Sequence, residues 1–158
     1  MTPTELHITV NGHPGAQGSK RSYGPGRMVE SSKKVAPWRT DVRDAATAAA
    51  TATGWTTATG PVTATITFRF ARPKAHYRTG RNAHLLRDRA PAHPIGHNIG
   101  DVDKLARSTF DALTSAGVIA DDALIYDVHA IKRWTDTIHP IPGAAITLRK
   151  HETQETPA

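Results

Sequence analysis

Val62-Thr63-Ala64-Thr65-Ile66-Thr67-Phe68-Arg69-Phe70 is the stretch whose reading decides the fold. Val62, Ala64, Ile66, Phe68 and Phe70 fall on one face and Thr63, Thr65, Thr67 and Arg69 on the other, a period of two that only a strand uses. Upstream, Leu6, Ile8 and Val10 alternate with His7, Thr9 and Asn11, which predicts a first strand. Between the two, from Val35 to Thr53, Trp38, Val42 and a series of alanines recur at helical spacing, and Gly54 supplies a C-terminal stop. Downstream, Ala106, Phe110, Leu113 and Ala116 predict a second helix that stops at Gly117. Leu124 to Trp134 returns to alternation, and Ala144 to Leu148 reads as a short last strand. The order β, α, β, long loop, α, β, β predicts an α+β domain. It would be a two-layer sandwich in which a mixed sheet of about four strands carries two main helices on one face.

The chain has 158 residues, 38% of them hydrophobic, which is enough for one core and too few for two. A single domain over residues 1–150 is expected, followed by a frayed tail, 151–158. The formal net charge of +6 and the sequence pI of about 10.0 favour a polyanionic partner, because Lys and Arg that neutralise phosphates release condensed counterions. With no cysteine, disulfides, thiolate-held zinc and thiol catalysis are all excluded. No apolar run approaches the roughly 18 residues that cross a bilayer, and no secretory leader pattern opens the chain. The expectation is a cytoplasmic protein without a membrane partner.

Two segments lack apolar patterning. Gly12 to Gly26 is rich in Gly, Pro and Ser, carries Lys20 and Arg21, and reads as an exposed loop. Ala71 to Gly100 holds Pro73, Gly80, Pro91, Pro94 and Gly96, and loops of that length are usually functional or disordered. From Arg69 to Arg89 seven cations, among them Arg72, Lys74, Arg78 and Arg81, face the single acid Asp88, which suits either a solvated loop or a phosphate-binding one. His76, His84, His93 and His97 match no common zinc spacing.

Five of the fourteen acidic residues, Asp101, Asp103, Asp111, Asp121 and Asp122, fall in one short region. Grouped carboxylates repel one another unless a cation, a donor or a shared proton offsets the repulsion. Each also has a simpler reading. Asp101 or Asp103 suits a helix N-cap, Asp121-Asp122 suits a turn, and Asp111 lies four residues from Arg107 on a helix face. If the return past Gly117 closes the group, three or four carboxylate oxygens converge without a thiol, an arrangement that suits Mg²⁺ or Mn²⁺.

The block Asp101-Val102-Asp103-Lys104-Leu105-Ala106-Arg107-Ser108-Thr109-Phe110-Asp111-Ala112-Leu113, continuing through Gly117 to Asp121-Asp122, closely resembles the signature of the RusA-type Holliday junction resolvases. That family pattern is D-x-D-N-L-x-K, then D-A-L on the same helix, G, and D-D. The resemblance implies a homodimeric, Mg²⁺-dependent endodeoxyribonuclease, with Mn²⁺ able to substitute, that resolves four-way DNA junctions by paired nicks in recombination and repair. It also implies that Asp101, Asp103 and Asp122 hold the metal with Asp121 beside them. The family's essential lysine falls at Arg107, which keeps the charge but not the point-ammonium geometry. Lys104 stands where the family usually has Asn, and Asn98-Ile99-Gly100 replaces basic residues found in some members. Arg107 and Lys104 are then expected to stabilise the phosphate. Lys20, Arg21, Arg72, Lys74, Arg78 and Arg81 would meet the DNA backbone. The alternatives are a catalytically impaired DNA-binding module of the same fold and a small phosphodiesterase acting on nucleotides or RNA.

Overall fold

A computed structural model describes residues 2–18, 20–22, 28–30 and 33–152 of the chain, with 20–22 and 28–30 described by backbone alone. Strand β1 (Glu5–Asn11) is followed by a short ribbon of β2 (Lys20–Ser22) and β3 (Met28–Glu30). Helix α1 (Val35–Thr53), strand β4 (Val62–Phe70), helix α2 (Val102–Ser115) and strands β5 (Ile125–Trp134) and β6 (Gly143–Lys150) complete the order. The four long strands form one mixed sheet in the order β1-β6-β4-β5, in which β4 and β5 are parallel and the other neighbours antiparallel. The architecture is the expected α+β one, a mixed four-stranded sheet with two helices.

The alternation in β4 decides what faces the helices. Val62, Ala64, Ile66, Phe68 and Phe70 are buried together with Leu6, Ile8 and Val10 of β1 and Ala144, Ile146 and Leu148 of β6. Helix α1 turns Val35, Trp38, Val42 and Ala46 onto this layer, a spacing of three and four residues that keeps one stripe inward. It ends at Gly54, whose φ of 74° is the left-handed stop anticipated from the residue type. Helix α2 buries Leu105, Ala106, Ser108, Thr109, Ala112 and Leu113.

Buried polar groups join the two helices. Trp38 Nε1 donates to Thr109 Oγ1 at 3.1 Å, and the Thr109 hydroxyl donates in turn to the Leu105 carbonyl at 2.8 Å. Ser108 Oγ donates to the Gly15 carbonyl at 2.6 Å, which ties the segment after β1 to α2. Trp38→Phe leaves the Thr109 hydroxyl without its donor and removes ring volume. We expect it to lower stability by about 1–3 kcal/mol in urea unfolding monitored by circular dichroism.

Three expectations need correction. The segment read as an exposed loop from Gly12 to Gly26 contains β2, which pairs antiparallel with β3 in the register Lys20↔Glu30, although residues 19 and 23–27 lie outside those described. Three-residue strands are too short for alternation to show. At the other end, β6 runs to Lys150, and His151 N–H donates to the Pro61 carbonyl at 2.9 Å, so residue 151 is held against the domain. Residues 153–158 lie outside those described. Asp111 pairs with Arg39 of α1 at 3.1 Å and not with Arg107, because α1 packs along that side of α2.

Candidate nucleic-acid site

The start of α2 carries the first two aspartates. Gly100 enters the helix at a φ of 100°, and a side chain there would press on Ala16, so only glycine lets the two loops approach. Asp101 follows in extended conformation, φ −75° and ψ 143°, as the N-cap residue, yet its carboxylate makes no capping hydrogen bond. That carboxylate is exposed and lies 3.5 Å from Lys104 Nζ. Asp103, one step into the first turn, is also exposed. Neither carboxylate is taken up by capping, so both remain available to a ligand.

A groove of about 530 Å³ opens beside Asp101, lined in part by Lys33, Lys34, His97, Asn98 and Lys104. Its two walls are held together by Gln17 N–H, which donates to the Lys104 carbonyl at 3.1 Å. Lys33 and Lys34 were not singled out from the sequence. The signal available was a lysine pair directly preceding the first helix, and only the fold shows that α1 begins next to the start of α2.

Asp121 and Asp122 sit elsewhere. Asp121 accepts a hydrogen bond from Ala123 N–H at 2.9 Å and caps the 3₁₀ turn Asp122–Leu124 that leads into β5. The Asp122 carboxyl is held above its ordinary range, first by a hydrogen bond with the Asp121 carboxyl, then by partial desolvation, then by the negative charges of Asp121 and Asp111.

The two pairs of aspartates therefore mark opposite ends of one helix. Helix α2 returns antiparallel to β5, so its start lies by the end of that strand, where Lys132 Nζ donates to the Gly100 carbonyl at 2.9 Å. Its C-terminal end leads into the Ala58–Ile119 bridge and the start of β5, next to Asp121 and Asp122. The seven steps of strand from Ile125 to Lys132 span roughly 23 Å. Among the described residues no group of three or more His, Asp or Glu side chains is placed to hold one metal ion, and this includes the loop histidines. The return past Gly117 brings Asp121 to the sheet but not to Asp101 within one chain.

The cations divide into two kinds. Arg72 lies over the Trp134 ring, 5.0 Å from its centroid, and donates to the Pro91 carbonyl at 2.8 Å, while Trp134 Nε1 donates to the same carbonyl at 3.0 Å. Arg78 donates to the Leu86 carbonyl and to Asp88, each at 3.2 Å, across a small Tyr77–Leu86 bridge. These two hold residues 71–100 in shape. Lys74, Arg81 and Arg107 are exposed and pair with no carboxylate among the described residues. Lys20 and Arg21 lie on β2, whose side chains are outside the description.

Exposed aspartates beside a cation-lined groove, on a basic α+β domain, define a site suited to phosphate esters. The chain belongs to the RusA endodeoxyribonuclease family, whose model, Endodeoxyribonuclease RusA, matches residues 11–148. No individual curated protein matches it. Among the described residues no helix is long and apolar enough to cross a membrane.

Proposed function

We propose that the chain is a homodimeric endodeoxyribonuclease that binds four-way DNA junctions and resolves them by paired, symmetric nicks in recombination and repair. The observation that supports this reading is the Asp101–Asp103 pair, exposed and uncapped beside a lysine-lined groove, in a chain of this family. The reaction is hydrolysis of a phosphodiester. Arg107 and Lys104 place positive charge against the phosphate, where charge develops in the transition state. Lys74 and Arg81, with Lys20 and Arg21 of the ribbon and Lys33 of the groove, contact the DNA backbone and carry no sequence information. Arg72 and Arg78 contribute by shaping the loop.

Mg²⁺, replaceable by Mn²⁺, is proposed as the cofactor, with Asp101, Asp103 and Asp122 as its carboxylates and Asp121 beside them. A single chain keeps these groups too far apart for one ion to bridge them all.

A second reading rests on the Lys104–Asp101 ion pair, which puts an ammonium where a metal would bind and so favours a branched-DNA-binding module without cleavage. A labelled synthetic four-way junction, set against linear duplex of the same sequence with Mg²⁺, Mn²⁺ or EDTA, separates the two. Metal-dependent paired nicks confined to the junction support the nuclease. Tight junction binding without nicks in any metal supports the module.

A further inference from the structure

The face of the sheet away from the helices carries positive charge of its own. Alternation along β4 turns Phe70 toward the helices and Arg69 away from them. In the parallel pairing of β4 with β5, Arg69 stands beside Arg133, as Phe70 stands beside the buried Trp134. Both arginines therefore leave the helix-free face as direct neighbours. Like charges so placed repel, at a cost in stability unless an anion lies between them. Neither pairs with a carboxylate among the described residues. Asp136, in the turn after β5, uses its carboxylate to accept from Ile138 N–H at 3.0 Å and His139 N–H at 2.6 Å. Arg69 Nε is also buried with no hydrogen-bond partner, and a buried donor left unpaired is costly.

Arg69 lines a hollow of about 330 Å³ with Asn11, Ile138, His139, Ile141 and Ala145. Ile138 is 81% exposed and Ile141 56%, so bare apolar surface stands next to an unpaired guanidinium. A planar fork of donors beside an apolar wall suits a phosphate that carries a sugar and base. The hollow lies at the end of the sheet where α2 begins. Lys132, the neighbour of Arg133, holds the Gly100 carbonyl there. Gly12 N–H donates to the Pro142 carbonyl at 3.0 Å, which joins the turn lining the hollow to the segment that walls the Asp101 groove. We propose that Arg69 and Arg133 together bind one phosphate of a DNA strand, whose attached nucleotide lies in the hollow against Ile138 and Ile141. The proposal rests on the DNA-binding reading and adds a contact outside the groove, on the helix-free face. The phosphate offsets the repulsion between the arginines and gives Arg69 Nε its acceptor.

Two experiments test this, on wild type, Arg69→Gln, Arg133→Gln and the double variant. Arg133 is exposed, so its variant folds whatever becomes of Arg69→Gln. The first is a gel-shift titration of a labelled four-way junction in EDTA, at about 50 to 200 mM salt. Each single variant should weaken binding by about tenfold, and the double by little more, because both arginines serve one phosphate. The slope of log affinity against log salt should fall by about 0.9 in the double variant, the loss of one phosphate contact. Unchanged affinity and slope in the double variant overturn the proposal and leave the junction reading standing. The second experiment follows thermal unfolding with a short single-stranded oligothymidylate or with inorganic phosphate. The oligothymidylate should raise the midpoint of the wild type and not of the double variant. Equal protection by inorganic phosphate assigns the arginines to a free anion and overturns the DNA contact. A wild type that binds no junction, yet is protected by the oligothymidylate through these arginines, keeps the nucleotide site and rejects the junction reading.

Discussion

Asp103→Asn is expected to lower single-turnover nicking of a four-way junction by about a thousandfold or more while leaving junction affinity intact. Asn keeps the shape and loses the charge. The side chain is exposed and makes no hydrogen bond or ion pair among the described residues, so the fold should change by no more than about 0.5–1 kcal/mol, the loss of a favourable carboxylate in the first turn of α2. Binding depends on cations meeting phosphates, and removing a negative charge beside them weakens nothing in that attraction. The checks are nicking under excess enzyme and a gel-shift titration at fixed salt. Loss of both together would mean that Asp103 shapes the DNA-binding surface and does not serve the chemistry.

Gly143→Ala should be the most damaging small substitution in the sheet. Gly143 is buried at the start of β6, paired with Asn11 of β1 and Arg69 of β4, at a φ of 151°. A Cβ at this position would collide with the Val10 carbonyl oxygen, which is backbone and cannot rotate away. Strain and displacement together should cost about 3 kcal/mol or more, a large share of the 5–15 kcal/mol that holds a typical domain together. The midpoint of thermal unfolding should fall by about 6–12 °C. An unchanged midpoint would show that β1 and β6 do not meet in this register.

The sheet was readable where one face of a strand is buried and the other is not. Val62 to Phe70 alternates because β4 is central and the helices cover only one side of it, and both the apolar period and the strand ends follow from that. Leu124 to Trp134 alternates equally well, yet in the fold β5 has exposed residues on both faces and buries only Trp134 fully. Periodicity reports that a strand exists and leaves open what covers it. The site residues were legible as a motif and not as a place. Asp101 and Asp122 are twenty-one positions apart in sequence, and that spacing says nothing about whether the helix between them folds the chain back on itself or holds its ends apart. The direction of α2 against β5 settles this, and it depends on the parallel pairing of β4 with β5, a contact between segments more than fifty residues apart. Lys33 and Lys34 were missed for the same reason, since their neighbour Lys104 is distant in sequence.

The strand order has a consequence for how the protein emerges from the ribosome. Of the sheet strands β1 is made first, but among the described residues its one neighbour in the sheet is β6, and β6 also separates it from β4. Until residues 143–150 leave the exit tunnel, the apolar faces of β1 and β4 have no continuous layer to join. The nascent chain can lay α1 over Leu6, Ile8 and Val10 early, but the sheet itself closes in one late step when β6 slots between strands made long before.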